Sequence, residues 1–277
     1  MVRRVRPLGV VGAALVLVAA SCSAKVGPTT GASGTASGGT QQPTTTVGNY
    51  GSSVTTAPPT TSKPLSSADL TGLLPTPAEI GPGYVVVDLG SASAQQSDRE
   101  WDAATKKACP ELYKVSSSFS QLFTVAFGAS PSYAERAFTD INGRQVEVDL
   151  TEGADFIPTE SQLDKIISAT NACDPIEVPD HETGGTITMT LRASPDDHYG
   201  DLGMVMIMDI EMVDALAPRG VEMEGHVRTF QRGQTTVSIT TVDGVDVRTH
   251  RVLPVDYELA ADLAEKLDAE IQKLQGH

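Results

Sequence analysis

The chain has 277 residues, 40% hydrophobic and 20% charged, a composition near that of globular proteins and sufficient to bury a core, although aromatics supply only 5% and aliphatic side chains must fill it. Acidic residues outnumber basic ones 35 to 20, for a formal net charge of −15. No cluster of Lys and Arg with interleaved aromatics offsets that sum, and a surface of this sign repels phosphate backbones, so the composition argues against nucleic acid as a partner.

Residues 1–7, MVRRVRP, form a basic start, and residues 8–20, LGVVGAALVLVAA, an apolar run. A helix of that length is too short for a hydrocarbon core of about 30 Å, but it matches the apolar region of an export signal, so residues 1–21 are read as a signal peptide. Val18, Ala19, Ala20 and Ser21 lead into Cys22. This resembles the bacterial lipobox, in which the cysteine is acylated on sulfur, for example by palmitate, and becomes the mature N-terminus; Ala19 stands where leucine is commoner. The alternative is an ordinary cleaved signal with Cys22 as a bystander. Loss of Arg3, Arg4 and Arg6 takes the net charge from −15 to −18. Acyl chains contributing about 0.8 kcal/mol per buried CH₂ would hold the protein on the extracytoplasmic face of the cell membrane.

Residues 22–64 comprise the lipidated cysteine and a tether rich in Thr, Ser, Gly and Pro, too poor in apolar side chains to offset the entropy of ordering. Residues 65–277 read as a single domain. Ser67 is placed to cap a short helix through Leu74, and Thr76-Pro77-Ala78-Glu79 has the capping-box pattern, stopped by Gly81-Pro82-Gly83. Residues 84–89, YVVVDL, read as a strand and residues 98–108, DREWDAATKKA, as a helix ending at Cys109-Pro110. Strand-like runs follow at 122–127, LFTVAF, and 145–150, QVEVDL, and then a helix over about 160–172 with Leu163, Ile166 and Ile167 at helical spacing, ending at Cys173. Next come TITMTLRA from Thr186, GMVMIMDIEMV over 203–213, then VEMEGHVRTF, TTVSITTV and VDVRTHRVL, with Arg232-Gly233 and Asp243-Gly244 expected at hairpin turns. From Asp256 onward Leu259, Leu263, Leu267, Ile271 and Leu274 mark a C-terminal amphipathic helix. Hairpin-grouped strands with helices mostly at the ends predict an α+β fold: an antiparallel β-sheet with helices packed on one side.

With Cys22 acylated, Cys109 and Cys173 are the remaining cysteines of an exported chain, and they are expected to form a disulfide. It would close a loop of about 64 residues and stabilise by roughly 4 kcal/mol. Met204, Met206, Met208, Ile210 and Met212 share one strand face, which Met223, Gly225 and Val227 join in a hairpin register. That stripe is either core filler or, since thioethers re-pack around varied shapes, a pliable ligand-binding wall of Met204, Met206, Met208, Met212 and Met223. The same register gathers Asp209 and Glu211 beside Glu222, Glu224 and His226, either a solvated sheet face or a cation-binding one. Asp196, Asp197, His198 and Asp201 share an expected hairpin loop and His181 lies between Asp180 and Glu182, but neither group has a dedicated metal-ligand spacing, and no metal or cofactor is predicted. The chain carries no GxSxG, HExxH, GxxxxGK[ST] or strand-associated GxGxxG pattern and no free cysteine for a nucleophile, so no catalytic residues are named and the domain is not read as an enzyme.

The lipobox, the Thr/Ser/Gly/Pro stalk, the opening DLTGLLPTPAEIGPGYVVVD, the Cys-Pro after a Trp-bearing helix, and RGQTTVSITTVDGV before a Leu-rich helix together resemble actinobacterial, especially mycobacterial, surface lipoproteins. The pattern is similar to the extracellular sensor-type domain of a mycobacterial serine/threonine kinase and its lipoprotein relatives. The resemblance implies an antiparallel sheet with helices framing a cleft for an unidentified ligand. It departs in cysteine number, since the kinase domain has two disulfides and this chain can form one. The expected function is therefore that of a membrane-anchored cell-envelope lipoprotein whose sensor-like domain binds a small molecule, envelope component or protein. A lipid or glycolipid carrier with a methionine-lined cavity, and a hydrolase with an unrecognised site, are the alternatives.

Overall fold

The computed structural model describes residues 63–87, 94–115, 132–153, 159–180, 184–213, 220–246, 249 and 251–276. The signal peptide, Cys22, most of the tether, the LFTVAF run and His181 lie outside the described residues.

Helix α1, Ser67–Leu73, is capped one residue earlier than the pattern suggests. The Ser66 hydroxyl accepts from the Asp69 N–H at 3.2 Å, and the Asp69 carboxylate accepts from the Ser66 N–H at 2.9 Å. Helix α2, Pro77–Ile80, forms at the expected capping box, where Glu79 accepts from both the N–H and the hydroxyl of Thr76 at 2.7 Å; Gly81 ends it at φ 130°. Strand β1, Val85–Val87, helix α3, Ala94–Ala108, and strand β3, Gln145–Glu152, match expected elements. Helix α4, Pro110–Val115, and strand β2, Ser132–Thr139, were not apparent from the pattern. Helix α5, Glu160–Asn171, is followed by strands β4, Ile176–Asp180, β5, Gly185–Pro195, β6, Leu202–Val213, β7, Val221–Arg232, and β8, Thr235–Val242. A short pair, β9, Gly244–Asp246, and β10, Arg251–Leu253, precedes the C-terminal helix α6, Tyr257–Gln275, which Asp256 caps.

The fold is α+β, built on an eight-stranded antiparallel sheet in the order β1-β2-β3-β8-β7-β6-β5-β4. Residues directly opposite in such a ladder share a face, so the register assigns every side chain to one of two sides. On the first side, Met189, Met206, Met208, Met223 and Val227 pack with Trp101, Leu112, Leu163, Ile166 and Ile167 of α3, α4 and α5. On the second side, Val148, Leu150, Phe230, Val237 and Ile239 pack with Leu70, Leu263, Leu267 and Ile271 of α1 and α6. Strand β7 belongs to both cores, with Val227 in one and Phe230 in the other at opposite parity. The helices thus divide between the faces, each group covering a different half of the sheet, because the apolar residues of the strands change side across β7 and β8.

Cys109, at the α3–α4 junction, and Cys173, just beyond α5, form a disulfide with Cα atoms 4.5 Å apart. Beside it the Asp174 N–H donates to the Ala108 carbonyl at 3.0 Å, so covalent and hydrogen bonds staple the same two helix ends.

Asp243-Gly244 is not the hairpin turn that its sequence suggests. The chain leaves the large sheet there and enters the β9–β10 pair. The glycine is required by space: a Cβ on Gly244 would lie 2.4 Å from the Asn142 carbonyl oxygen and 2.6 Å from the Arg144 nitrogen in the β2–β3 turn. The Val245 N–H fixes that approach by donating to the Asn142 carbonyl at 3.0 Å.

Candidate binding groove

The β6–β7 hairpin keeps the expected residues on one face, with Met206 opposite Val227, Met208 opposite Gly225 and Ile210 opposite Met223. The methionines are packed core. Met204, Met206, Met208 and Met223 are buried between the sheet and the helices, and Met212 is partly buried at the margin of the same cluster. A ligand wall requires exposed surface that these side chains do not present. Met204 borders a cavity of about 20 Å³, shared with Leu163, Phe230 and Thr236, which has room for one water at most. A Cβ on Gly225 would lie 2.6 Å from Met208 Cε, the movable end of a flexible side chain, and 3.4 Å from the Thr241 carbonyl oxygen, so the glycine leaves room for Met208 in the stripe.

The other side of the same three strands carries the acidic residues. Thr188, Glu211 and Glu222 form one rung across β5, β6 and β7; Thr190, Asp209 and Glu224 form the next. These residues, with Asp243, line an open groove of about 440 Å³. Asp209 opposite Glu224 and Glu211 opposite Glu222 are like-charge pairs at facing positions, an arrangement that costs sheet stability. Two adjacent rungs of that kind concentrate negative potential along a short stretch of β6–β7.

Three contacts shape the groove. Arg192 forks onto Asp209 across β5–β6 at 2.9 and 3.0 Å, and the hydrogen bonds to Asp209 raise the guanidinium pKa above its ordinary value. His226 Nε2 lies 2.8 Å from Glu224 Oε1, and its ring stacks on Tyr257 at 4.0 Å between centroids. Asp243 accepts from the Glu224 N–H at 3.0 Å, the Val255 N–H at 2.9 Å and the Tyr257 hydroxyl at 2.7 Å, which locks the inner end of the groove to the start of α6. Burial, then the bond to Asp243, keeps the Tyr257 phenol protonated far above its ordinary range. Glu211 and Glu222 are exposed, so the outer rung offers acceptors to whatever enters.

The loop at 196–201 joins β5 and β6 as expected, but its acidic residues are engaged by separate partners. Asp196 is buried, 2.8 Å from His198 Nδ1 and 3.4 Å from Arg228 Nε, while Asp201 accepts from the Gly233 N–H at 2.8 Å and from Arg232 at 2.6 Å. Among the described residues no group of three or more His, Cys, Asp or Glu side chains is arranged to hold a metal ion. Thr188, Thr190 and Asp243 were not foreseen in the groove. The alternation of Thr186, Thr188 and Thr190 with Ile187, Met189 and Leu191 is the signal that locates the threonines, whereas Asp243 was absorbed into an apparent turn.

Comparison with protein-family models, with curated proteins and with solved structures gives no match.

Proposed function

We infer that this chain is an exported, lipid-anchored protein of the cell envelope, and that its α+β domain is a non-catalytic, sensor-like module binding a cationic ligand in the acidic groove of β5, β6 and β7. The observation that carries the binding reading is the pair of like-charge rungs, Asp209–Glu224 and Glu211–Glu222, bordering an open groove: Arg192 meets Asp209 and His226 meets Glu224, while the outer rung, Glu211–Glu222, makes no ion pair among the described residues. A cation in that space would relieve repulsion that the sheet otherwise bears. Export and anchoring are supported by the basic start, the apolar run and the small residues before Cys22, together with a disulfide suited to an oxidising compartment.

Binding is tested with a fluorescein-labelled hexalysine peptide followed by anisotropy. The wild-type domain should bind it with an affinity that falls steeply between low salt and about 0.15 M, because charges there are screened over about 8 Å. The E211Q/E222Q variant should bind at least tenfold more weakly, and equal affinity in the two proteins refutes the groove. The anchor is tested separately in a bacterial host: Cys22→Ala should move the protein from the membrane to the soluble fraction, and persistent membrane attachment refutes lipidation.

A further inference from the structure

The side of β5, β6 and β7 that carries the groove has an order of charge along the strands. Arg192, Ile207 and His226 form one rung, and from it Arg192 reaches Asp209 and His226 reaches Glu224, both on the next rung out. Beyond this inner acidic rung lies the outer one, Thr188–Glu211–Glu222, and past it the ladder ends at Thr186 opposite Val213, with Gly220 just before β7. The inner acids are therefore met by cations from one side, and no described residue meets the outer acids from the other.

Local geometry fixes where the outer carboxylates lie. A Cβ on Gly220 would be 2.8 Å from Glu211 Oε1 and 3.3 Å from Glu211 Cγ, so this glycine, at φ 79°, leaves the space that the Glu211 side chain occupies. The carboxylate thus leans toward the start of β7, the strand that carries Glu222. Thr188 adds a hydroxyl on β5, and Glu177 of β4, exposed and opposite Thr188, extends the row. The acceptors of the outer rung are spread sideways over neighbouring strands about 4.8 Å apart, along the open groove.

That spread discriminates between cations. A metal ion needs ligands converging on one point, and no group of three or more acidic, His or Cys side chains among the described residues does so. An ammonium is a compact, strongly hydrated charge with three donors on one atom, whereas a guanidinium distributes five N–H donors over a flat fork and is more weakly hydrated. A lateral row of carboxylates with a hydroxyl beside it suits the fork. The same face already holds one, since Arg192 meets both oxygens of Asp209 at 2.9 and 3.0 Å. Taking the groove as the binding site, we propose that its outer rung, Glu211 and Glu222 with Thr188 beside them, binds a guanidinium group, which repeats at the outer rung the contact that Arg192 makes at the inner one.

The experiment compares fluorescein-labelled hexaarginine with the equally charged hexalysine peptide, by anisotropy with full-chain protein at about 0.15 M salt. The wild type should bind hexaarginine about fivefold or more tightly than hexalysine, because each guanidinium can take a carboxylate through two bonds. E211Q/E222Q should lose that preference while keeping an equal or higher thermal midpoint, since it removes a like-charge pair. E160Q/D164N, which removes two exposed acids of α5 across the sheet, should keep the preference. Agmatine as a competitor separates the sources: displacement of hexaarginine marks a small guanidine as sufficient, and resistance to it an arginine-bearing chain. Equal affinity of the wild type for the two peptides, or a preference that survives E211Q/E222Q, overturns the guanidinium class. If E211Q/E222Q weakens both peptides equally, the groove stands and the guanidinium class alone fails; if it weakens neither, the groove itself fails.

Discussion

Asp243 shows how much of this domain rests on one side chain. Its two carboxylate oxygens take three hydrogen bonds from three places: the β7 backbone at Glu224, the chain leading into α6 at Val255, and the phenol of Tyr257. The residue is buried, so each bond is made out of water, and a charged acceptor makes each worth more than a neutral pair. Asp243→Asn keeps the size but replaces one oxygen by an NH₂ that faces a donor. The expected cost is about 2–4 kcal/mol, read as a lower urea midpoint at unchanged slope, against about 1 kcal/mol for Tyr257→Phe, which removes one bond and leaves the ring stacked on His226. An Asn variant as stable as the wild type would show that these bonds contribute nothing net.

At the scale of elements, what was legible in the sequence was local chemistry. The capping box at Thr76–Glu79, the helical spacing of Leu163, Ile166 and Ile167, and the run of Leu and Ile in α6 each encode their element within a few residues, and each formed there. The face shared by β6 and β7 was legible too, since joining the Met204–Met212 stripe to Met223, Gly225 and Val227 puts Asp209, Glu211, Glu222 and Glu224 together on the other side, where they are found. β2 carries no local strand signal, because SYAERAFT includes Ala and Glu, which are depleted in strands, and it becomes a strand by pairing along its whole length with β3. β4 was hidden by Pro179, tolerated because β4 is an edge strand. The division of helices between the faces had no local signal, because alternation separates the two sides of each strand without saying which side a distant helix will cover. QVEVDLTE illustrates this: alternation suggests one wet side, yet every residue of β3 is buried, which is how Glu147 and Asp149 come to be acids in an interior.

For the whole molecule, the opposed carboxyl environments set how stability depends on pH. Glu79 is held down to about 2 by its bond from Lys266 and by the Thr76 donors, and Asp69 is lowered by its bonds from Ser66. A group with a depressed pKa favours the folded state above its ordinary value, near 4, and loses that contribution as pH falls toward its folded value. Asp149, raised to about 8 by burial and then by Glu135, has the opposite sign. Between about 4 and 8 the unfolded chain has released a proton that the folded chain still holds, so stability declines as pH rises through that window, and the full cost is present above it. Glu147 and Glu152, both raised mainly by burial, act in the same direction, and the net charge of −15 adds repulsion at neutral pH. The two sets cross at acid pH. A calorimetric series from pH 3 to 9 should therefore show the highest thermal midpoint near pH 4–5 and a fall of several degrees by pH 8, at about 2–4 °C per kcal/mol for a domain of this size. Glu147→Gln and Asp149→Asn should each flatten the alkaline arm and leave the acid arm in place, whereas Glu79→Gln should flatten the acid arm alone. A midpoint that climbs steadily to pH 7 would mean that the carboxyls on the β2–β3–β8 face ionise freely in the folded protein.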